Sequence, residues 1–285
     1  MILLDASSIF ISSIMAQIDT FDEQPELIRH TIFNIIRRYN TEYRAEYGEM
    51  VICFDSKNNW RKRTFPQYKA NRKKGREESS HDWKTIFDII DQTKQELREY
   101  SPFRTIEVEH CEADDIIAVL CEKSNTPEPI LIISPDKDFV QLQRYPQVKQ
   151  YSNTQKKWVL PEVDALTDLS NKVLSGDTGD GVPNVLSDDL TLVENRRQGV
   201  LSKKKREALL ENPESLGTTS ARQIIRNRDM IDLTRVPEDL KEQIIESSKN
   251  KPGGSVMRLM TLFTKNKMKL LIESLQDFEV YKINK

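Results

Sequence analysis

Five short apolar or β-branched runs constrain this chain more than anything else in it: ILLD (2–5), MVICFD (50–55), TIEVE (105–109), ILIIS (130–134) and VKQYS (148–152). Each has the length of a buried strand and is too short for a helix that must bury one face. Between them lie longer segments with helical patterning, from Pro25 to Tyr47, Trp83 to Tyr100 and Ala113 to Lys123. Strands separated by helices predict an α/β fold, a central and mostly parallel sheet covered by helices on both faces. In such sheets ligands bind beyond the carboxyl ends of the strands.

After about Pro161 the strand signals stop. LTDLSNKVL (166–174), KKKREALLE (203–211) and VMRLMTLFTKNKMKLLIESL (256–275) read as helices, punctuated by GDTGDGVP (176–183) and KPGG (251–254). The expected organisation is an α/β domain over residues 1–160 and a helical lobe over 161–285.

The strand ends carry acids. Asp5 closes the first run and Asp55 the second, Glu112, Asp114 and Asp115 open the helix after the third, and Asp136 and Asp138 follow the fourth. Asp177 and Asp180, in SGDTGDG, add another pair. A single Asp at a strand end is ordinarily a turn residue or a helix cap. Five such groups at one sheet edge are not explained that way, because close like charges at intermediate dielectric repel by several kcal/mol per pair. Divalent cations remove that repulsion. Three histidines, no HExxH and no CxxC leave little material for zinc or for a Ser-His-Asp triad, and oxygen-only ligands suit Mg²⁺ or Mn²⁺. So many acids predict two ions, the arrangement that activates a water and stabilises the leaving oxygen in phosphodiester hydrolysis.

The net charge of −2 hides a strong polarity. From Trp60 to Arg76, WRKRTFPQYKANRKKGR holds eight Lys and Arg and no acid, and Lys203 to Arg206 form a second basic cluster. The first stretch follows Asp55 so closely that it must hang over the acids. Its charges suit a phosphate backbone, and Trp60, Phe65 and Tyr68 are placed to stack bases unless they dock into the core instead. The scattered cysteines Cys53, Cys111 and Cys121, the absence of a long apolar run and the lack of a basic signal-peptide start all predict a cytoplasmic protein. The N-terminus starts directly on a strand, which leaves no room for a leading docking peptide, and a monomer is the default expectation.

LLDAS around Asp5, VICFDSKNNWRK, YKANRKKGREES, HCEADDIIAVL, ILIISPDKDFVQL, YPQVKQYSNTQKKWV and SGDTGD, in this order, resemble the 5′ nucleases. That family includes flap endonucleases and the 5′-exonuclease domains of bacterial polymerases. The resemblance covers roughly residues 1–185 and implies a PIN-like nuclease fold. It also implies that Asp5, Asp55, Glu112, Asp114 and Asp136 hold or border one Mg²⁺, with Asp138, Asp177 and Asp180 serving a second, partly through water. Asp115 matches a further family acid, and Asp136 is expected to be catalytic as well as a ligand. Lys69 and Arg72 match the basic residues over the scissile phosphate, in an arch spanning about residues 60–82. Nucleic-acid contacts are expected from Arg61, Lys62, Tyr68, Lys69, Arg72, Lys73 and Lys74, and from Lys203, Lys204 and Lys205, with Arg196, Arg197 and Arg206 nearby.

The implied activity is 5′→3′ exonuclease and flap endonuclease action on duplex DNA, RNA·DNA hybrid and forks, removing RNA primers during replication. The nucleophile is water, without a covalent enzyme intermediate. The implied partners are a single-stranded-DNA-binding protein and a sliding clamp. After Asp180, GVPNVLSDDLTLVE loses the later glycines of the family's duplex-gripping segment, which puts its potassium site in doubt. QDFEVY (276–281) has the pattern of a clamp-binding peptide, but such short patterns are common by chance, and one more helix end with its apolar face buried is the preferred reading. Two other readings compete. A phosphatase of the haloacid dehalogenase type accounts for Asp136–Lys137–Asp138, but that class places its DxD near the start of the chain, and the reading leaves Asp5, Asp55 and the basic stretch unexplained. A non-catalytic fork-DNA binding protein would have lost some of the acids, and all are present.

Overall fold

Alternate residues of the strands face opposite sides of one sheet, and both sides are buried. Ile2, Leu4, Met50, Ile52, Leu131 and Ile133 join one apolar core, while Leu3, Val51, Cys53, Ile106, Ile130 and Ile132 join another. This is why the strands read as continuous apolar runs rather than as alternating ones. The structure is a computed structural model that describes residues 1–17, 25–124, 128–211 and 217–281. Its sheet has the order β3-β2-β1-β4-β5-β6. The strands are β1 (Ile2–Asp5), β2 (Met50–Cys53), β3 (Arg104–Ile106), β4 (Ile130–Ile133), β5 (Val148–Ser152) and β6 (Lys157–Val159). The first five are parallel and β6 runs antiparallel to β5. The predicted α/β class holds. The third strand is shorter than expected, and β6, only three residues of KWV, gives no apolar run for the sequence to reveal.

The first core is covered by α1 (Ala6–Met15), α2 (Pro25–Tyr47) and α5 (Trp83–Tyr100), which supply Phe10, Phe33, Ile36 and Ile86 among others. The second is covered by α6 (Ala113–Lys123). Two short helices, α3 (Arg61–Thr64) and α4 (Ala70–Glu77), form the basic segment after β2. The remainder is helical: α7 (Ala165–Ser175), α8 (Lys203–Glu211), α9 (Gly217–Ile231), α10 (Glu238–Ser248), α11 (Val256–Lys265) and α12 (Lys269–Glu273). The expected single helix over 256–275 is broken at Lys267, whose φ is 56°.

The chain beyond Pro161 does not stand as one helical lobe. Only its first part builds a separate small core, from Val173, Leu174, Val182, Val185, Leu209, Ile224, Met230 and Ile231 with Phe65 and Tyr68 of the basic segment. From Leu233 onward the chain returns to the α/β body. Leu240 and Ile244 of α10 pack into the core under α6, and Leu259, Leu262, Phe263 and Leu271 pack into the core under α2 and α5. Amphipathic helices must cover some apolar face, and these cover the sheet's own helices.

The C-terminal QDFEVY segment belongs to the same packing. Phe278 is fully buried, with its ring 5.4 Å from that of Phe263 and 6.3 Å from that of Phe103. The Asn40 amide donates to the carbonyls of Asp277 (2.7 Å) and Glu279 (3.1 Å), and Arg37 pairs with Asp277 at 2.6 Å. The segment is therefore a buried chain end, as preferred, and not a free clamp-binding peptide: its aromatic anchor is already in the core. Phe278→Ala should cost about 3–5 kcal/mol, as truncation of a buried Phe does. A urea titration checks this as a lower midpoint at unchanged slope, and an unshifted midpoint would contradict the packing.

Candidate active site

The strand order reverses at β1, which lies between β2 and β4, and the acids gather beyond that switch point. Asp5, the last residue of β1, caps α1 by accepting from the Ser8 N–H at 3.2 Å and also accepts from the Ser134 hydroxyl at 2.8 Å. Asp55 follows β2 and accepts from the Ala113 N–H at the start of α6 (2.7 Å) and from the Ser7 hydroxyl (2.5 Å). Glu112 is the N-cap of α6, and Asp136 is the N-cap of the 3-10 helix Lys137–Arg144, where it accepts from the Asp138 N–H at 2.9 Å. The ordinary capping role and the site role thus coexist in the same residues. Asp5, Asp55, Glu112, Asp114 and Asp136 line one cleft of about 410 Å³, with Lys69 and Arg72.

Asp138, Asp177 and Asp180 lie outside the lining of that cleft. The Lys172 ammonium pairs with both Asp138 and Asp177, the latter at 2.8 Å. Asp180 is held by Arg72 at 2.6 Å, the Tyr68 hydroxyl at 3.0 Å and Lys69 at 3.5 Å. The turn that presents Asp177 and Asp180 needs its glycines. Gly181 has φ of 74°, and a Cβ there would sit 2.9 Å from the Gln67 carbonyl, which lets the turn lie directly under the basic segment. Lys69 donates its backbone N–H to the Asp180 carbonyl at 2.8 Å and is itself at φ 57°, an uncommon conformation for lysine. Its side chain reaches Glu112 at 2.5 Å. The basic stretch therefore does hang over the acids.

Three expectations need correction. Asp115 does not face the cleft: it is fully buried and accepts from Arg61 (2.7 and 3.1 Å), the Trp60 indole N–H (3.1 Å) and the Glu112 N–H (3.0 Å). Its oxygens are taken by donors, so it orients α6 rather than offering a ligand. Arg61 is only 1% exposed and also donates to the Met230 carbonyl at 3.0 Å, so it is an internal brace and not a nucleic-acid contact. Trp60, Phe65 and Tyr68 are buried, so they do not stack bases, and Tyr68 instead donates toward Glu112 at 2.9 Å from the floor of the basic segment. Lys62, Lys203, Lys204 and Lys205 are exposed, while the side chains of Lys73 and Lys74 lie outside the described residues. Lys172, Ser7 and Ser134 are site residues that the sequence did not disclose. Ser7 and Ser134 are recognised only by acids far away in the chain, and Lys172 by Asp138 as well as by the nearby Asp177.

The electrostatics divide the acids. Burial, and then the charge of Asp55, push Asp5 up to about 7. Burial, and then neighbouring carboxylates, push Asp114 well above the usual carboxylate range. Asp136 is also raised by burial, only partly offset by Lys172. Burial would raise Glu112 too, but Lys69 and Arg61 outweigh it and hold the carboxyl down at about 2. Asp177 is lowered likewise, because Lys172 outweighs its burial. Among the described residues no three acids close on a common point as ligands of one ion do. The side chains of Lys69, Arg72 and Lys172 supply the positive charge that the outer acids require. The donor set, carboxylate oxygens throughout, fits a hard divalent cation best at Asp5, Asp55, Asp114 and Asp136, where the negative charge is least compensated.

Residues 1–167 match the family described as 5′-3′ exonuclease, N-terminal resolvase-like domain, and residues 161–278 match T4 RNase H, C terminal. The chain belongs to the 5′-3′ exonuclease family. It is 32% identical over 97% of its length, and over 95% of the relative's, to the ribonuclease H of Enterobacteria phage T4. A 5′-3′ exonuclease of Buchnera aphidicola is 33% identical over 39% of this chain and 35% of its own. The T5 5′-exonuclease, solved with divalent zinc ions, superposes with a TM-score of 0.65 at 17% identity, over 86% of this chain and 97% of its own. The fold expectation and the family resemblance are borne out, and the protein is a nuclease, a hydrolytic phosphodiesterase.

The raised Asp5 has a consequence for stability in chelator. A carboxyl raised by folding costs nothing below its unfolded pKa near 3.8; the cost grows as pH rises toward about 7 and then stays constant. Asp5→Asn should therefore gain on the order of 2–4 kcal/mol over the parent at pH 8 and little at pH 4. Urea titrations with EDTA at both pH values read this difference, and equal shifts at the two pH values would refute it.

Proposed function

We propose that this nuclease hydrolyses phosphodiesters near free 5′ ends, cutting duplex DNA, RNA·DNA hybrid and 5′ flaps, and so removes RNA primers in replication. The carrying observation is the cleft itself: poorly compensated carboxylates at the sheet edge, with two cationic side chains beside them that are held by Glu112 and Asp180. Asp5, Asp55, Glu112, Asp114 and Asp136 would hold one Mg²⁺ and Asp138, Asp177 and Asp180 would serve a second, with Mn²⁺ as a substitute. Bound there, the ions would supply Lewis acidity and a nucleophilic water at neutral pH. Support comes from relatives: the T5 D15 protein crystallised with metal ions, and the T5 D15 flap endonuclease solved in a pseudo-enzyme-product complex with DNA and metal ions.

The chain's own residues do the positioning. Lys69 and Arg72 exchange Glu112 and Asp180 for the scissile phosphate and stabilise the charge that develops on it. The exchange would be favoured by divalent charge held at the acids they leave. Arg61 and Asp115, clamped to each other, keep Glu112 at the mouth of α6 throughout. The exposed lysines Lys62, Lys203, Lys204 and Lys205 add sequence-independent attraction for the backbone. A single-stranded-DNA-binding protein and a sliding clamp are the partners that the family likeness favours, without QDFEVY as the contact.

The test is cleavage of an end-labelled duplex carrying a 5′ flap, with Mg²⁺ or EDTA, beside Asp136→Asn. Cleavage should require the metal and fall by at least about 10²-fold in the variant, with substrate binding retained. Undiminished cleavage by the variant would sink the metal assignment. Binding without cleavage by either protein would favour the fork-binding reading instead.

A further inference from the structure

A second cavity, of about 350 Å³, adjoins the active-site cleft along α1. Ser12 and Thr154 line both, while Lys69 and Arg72 line only the first. The second cavity carries hydroxyls and amides from Ser12, Thr31, Asn153 and Thr154 and two cations, Arg38 and Lys156. No Asp or Glu lines it among the described residues. Among the described lining residues, charge therefore changes along the cleft, from a pole of carboxylates to a pole whose charged side chains are Arg38 and Lys156.

The wall of this cavity is built rather than incidental. The Asn153 amide is clamped to α1: the Ser8 hydroxyl donates to its oxygen at 3.2 Å, and its nitrogen donates to the Ser12 hydroxyl at 3.3 Å. This pins the turn between β5 and β6 against the helix. Lys156, at the tip of that turn, is exposed and holds φ of 53°, an uncommon conformation for a lysine. Arg38 lies 5.7 Å from the Tyr39 ring centroid and, among the described residues, pairs loosely with Glu42 at 3.5 Å, with both side chains more than a third exposed. An exposed pair of this kind contributes little and is readily traded for a phosphate.

We infer that this groove holds the single-stranded 5′ segment of the substrate as it leaves the scissile phosphate, with Arg38 and Lys156 meeting its backbone. A strand crossing a bed of carboxylates needs positive charge on either side of them. Lys69 and Arg72 supply it over the acids, and among the described residues lining the second cavity Lys156 and Arg38 supply it beyond α1. The inference rests on the nuclease reading and deepens it by assigning the path of the flap.

The experiment compares the full-length protein with Arg38→Ala/Lys156→Ala on duplexes carrying 5′ flaps of graded length, from none to several nucleotides. Binding is read by anisotropy in EDTA and cleavage in Mg²⁺. For the parent, affinity should rise with flap length. In the double variant that rise should disappear, with KM on the longer flaps up about tenfold and the salt slope of binding lowered by about 1.4, the value for two single-strand phosphate contacts. The charge-keeping Arg38→Lys/Lys156→Arg pair should restore most of the loss. Unchanged flap-length dependence in the alanine variant would overturn the inference. So would an equal loss with and without a flap, which would place the duplex rather than the flap on these residues. If the parent itself binds but does not cleave, the nuclease reading falls, while the binding arm still decides the groove.

Discussion

The carboxylates along one sheet edge set the terms for everything around them. Placed where parallel strands end and helices begin, they are brought close by the fold whether or not anything neutralises them. Buried like charges at this spacing require either protons or cations. The protein uses both. Asp5, Asp114 and Asp136 retain protons more readily than free carboxyls do, while Glu112, Asp177 and Asp180 lie against Lys69, Lys172 and Arg72. The inner acids are thus the ones with the greatest unmet demand for positive charge, and the outer ones hold the cations that meet the phosphate.

This division explains the placement of the basic segment. Its first turn is anchored, not free: Arg61 sits among Asp115, Glu112 and the Met230 carbonyl, and Phe65 and Tyr68 are buried in the small core beside α7 and α9. Only from Lys69 onward does the segment face the cleft. The anchor joins the acidic face of the sheet to the small helical core, so that a disturbance at either is felt at Glu112.

How much of this was readable beforehand follows from the range of the interactions involved. The sheet and the acids at its edge were legible because strand length, helix length and the position of each acid are local properties of the sequence. Asp114 and Asp115 were not separable, since both open α6 and only the packing shows that one faces the cleft and the other faces Arg61, 54 residues away. Arg61 itself sat in a run of like charges and was read with them. Lys172 needed the knowledge that α7 lies against Asp138. The helices after Leu233 were legible as helices, but the surface they cover is a matter of tertiary contact. A stretch of twenty helical-looking residues likewise conceals a break at Lys267, which no residue with an intrinsic preference for that backbone announces.

The return of Leu233–Phe278 to the α/β body has a consequence for how the molecule is made. These residues complete the packing over both faces of a sheet whose strands all lie before residue 160. During synthesis the strands and their acids leave the ribosome first, and α10, α11 and α12 only after them. Until then the helices over the sheet keep apolar surface uncovered, and the cooperative unit that fixes the cleft is unfinished. The geometry that makes the protein a nuclease therefore depends on segments translated after all of its active-site acids, rather than arising progressively as those acids are translated.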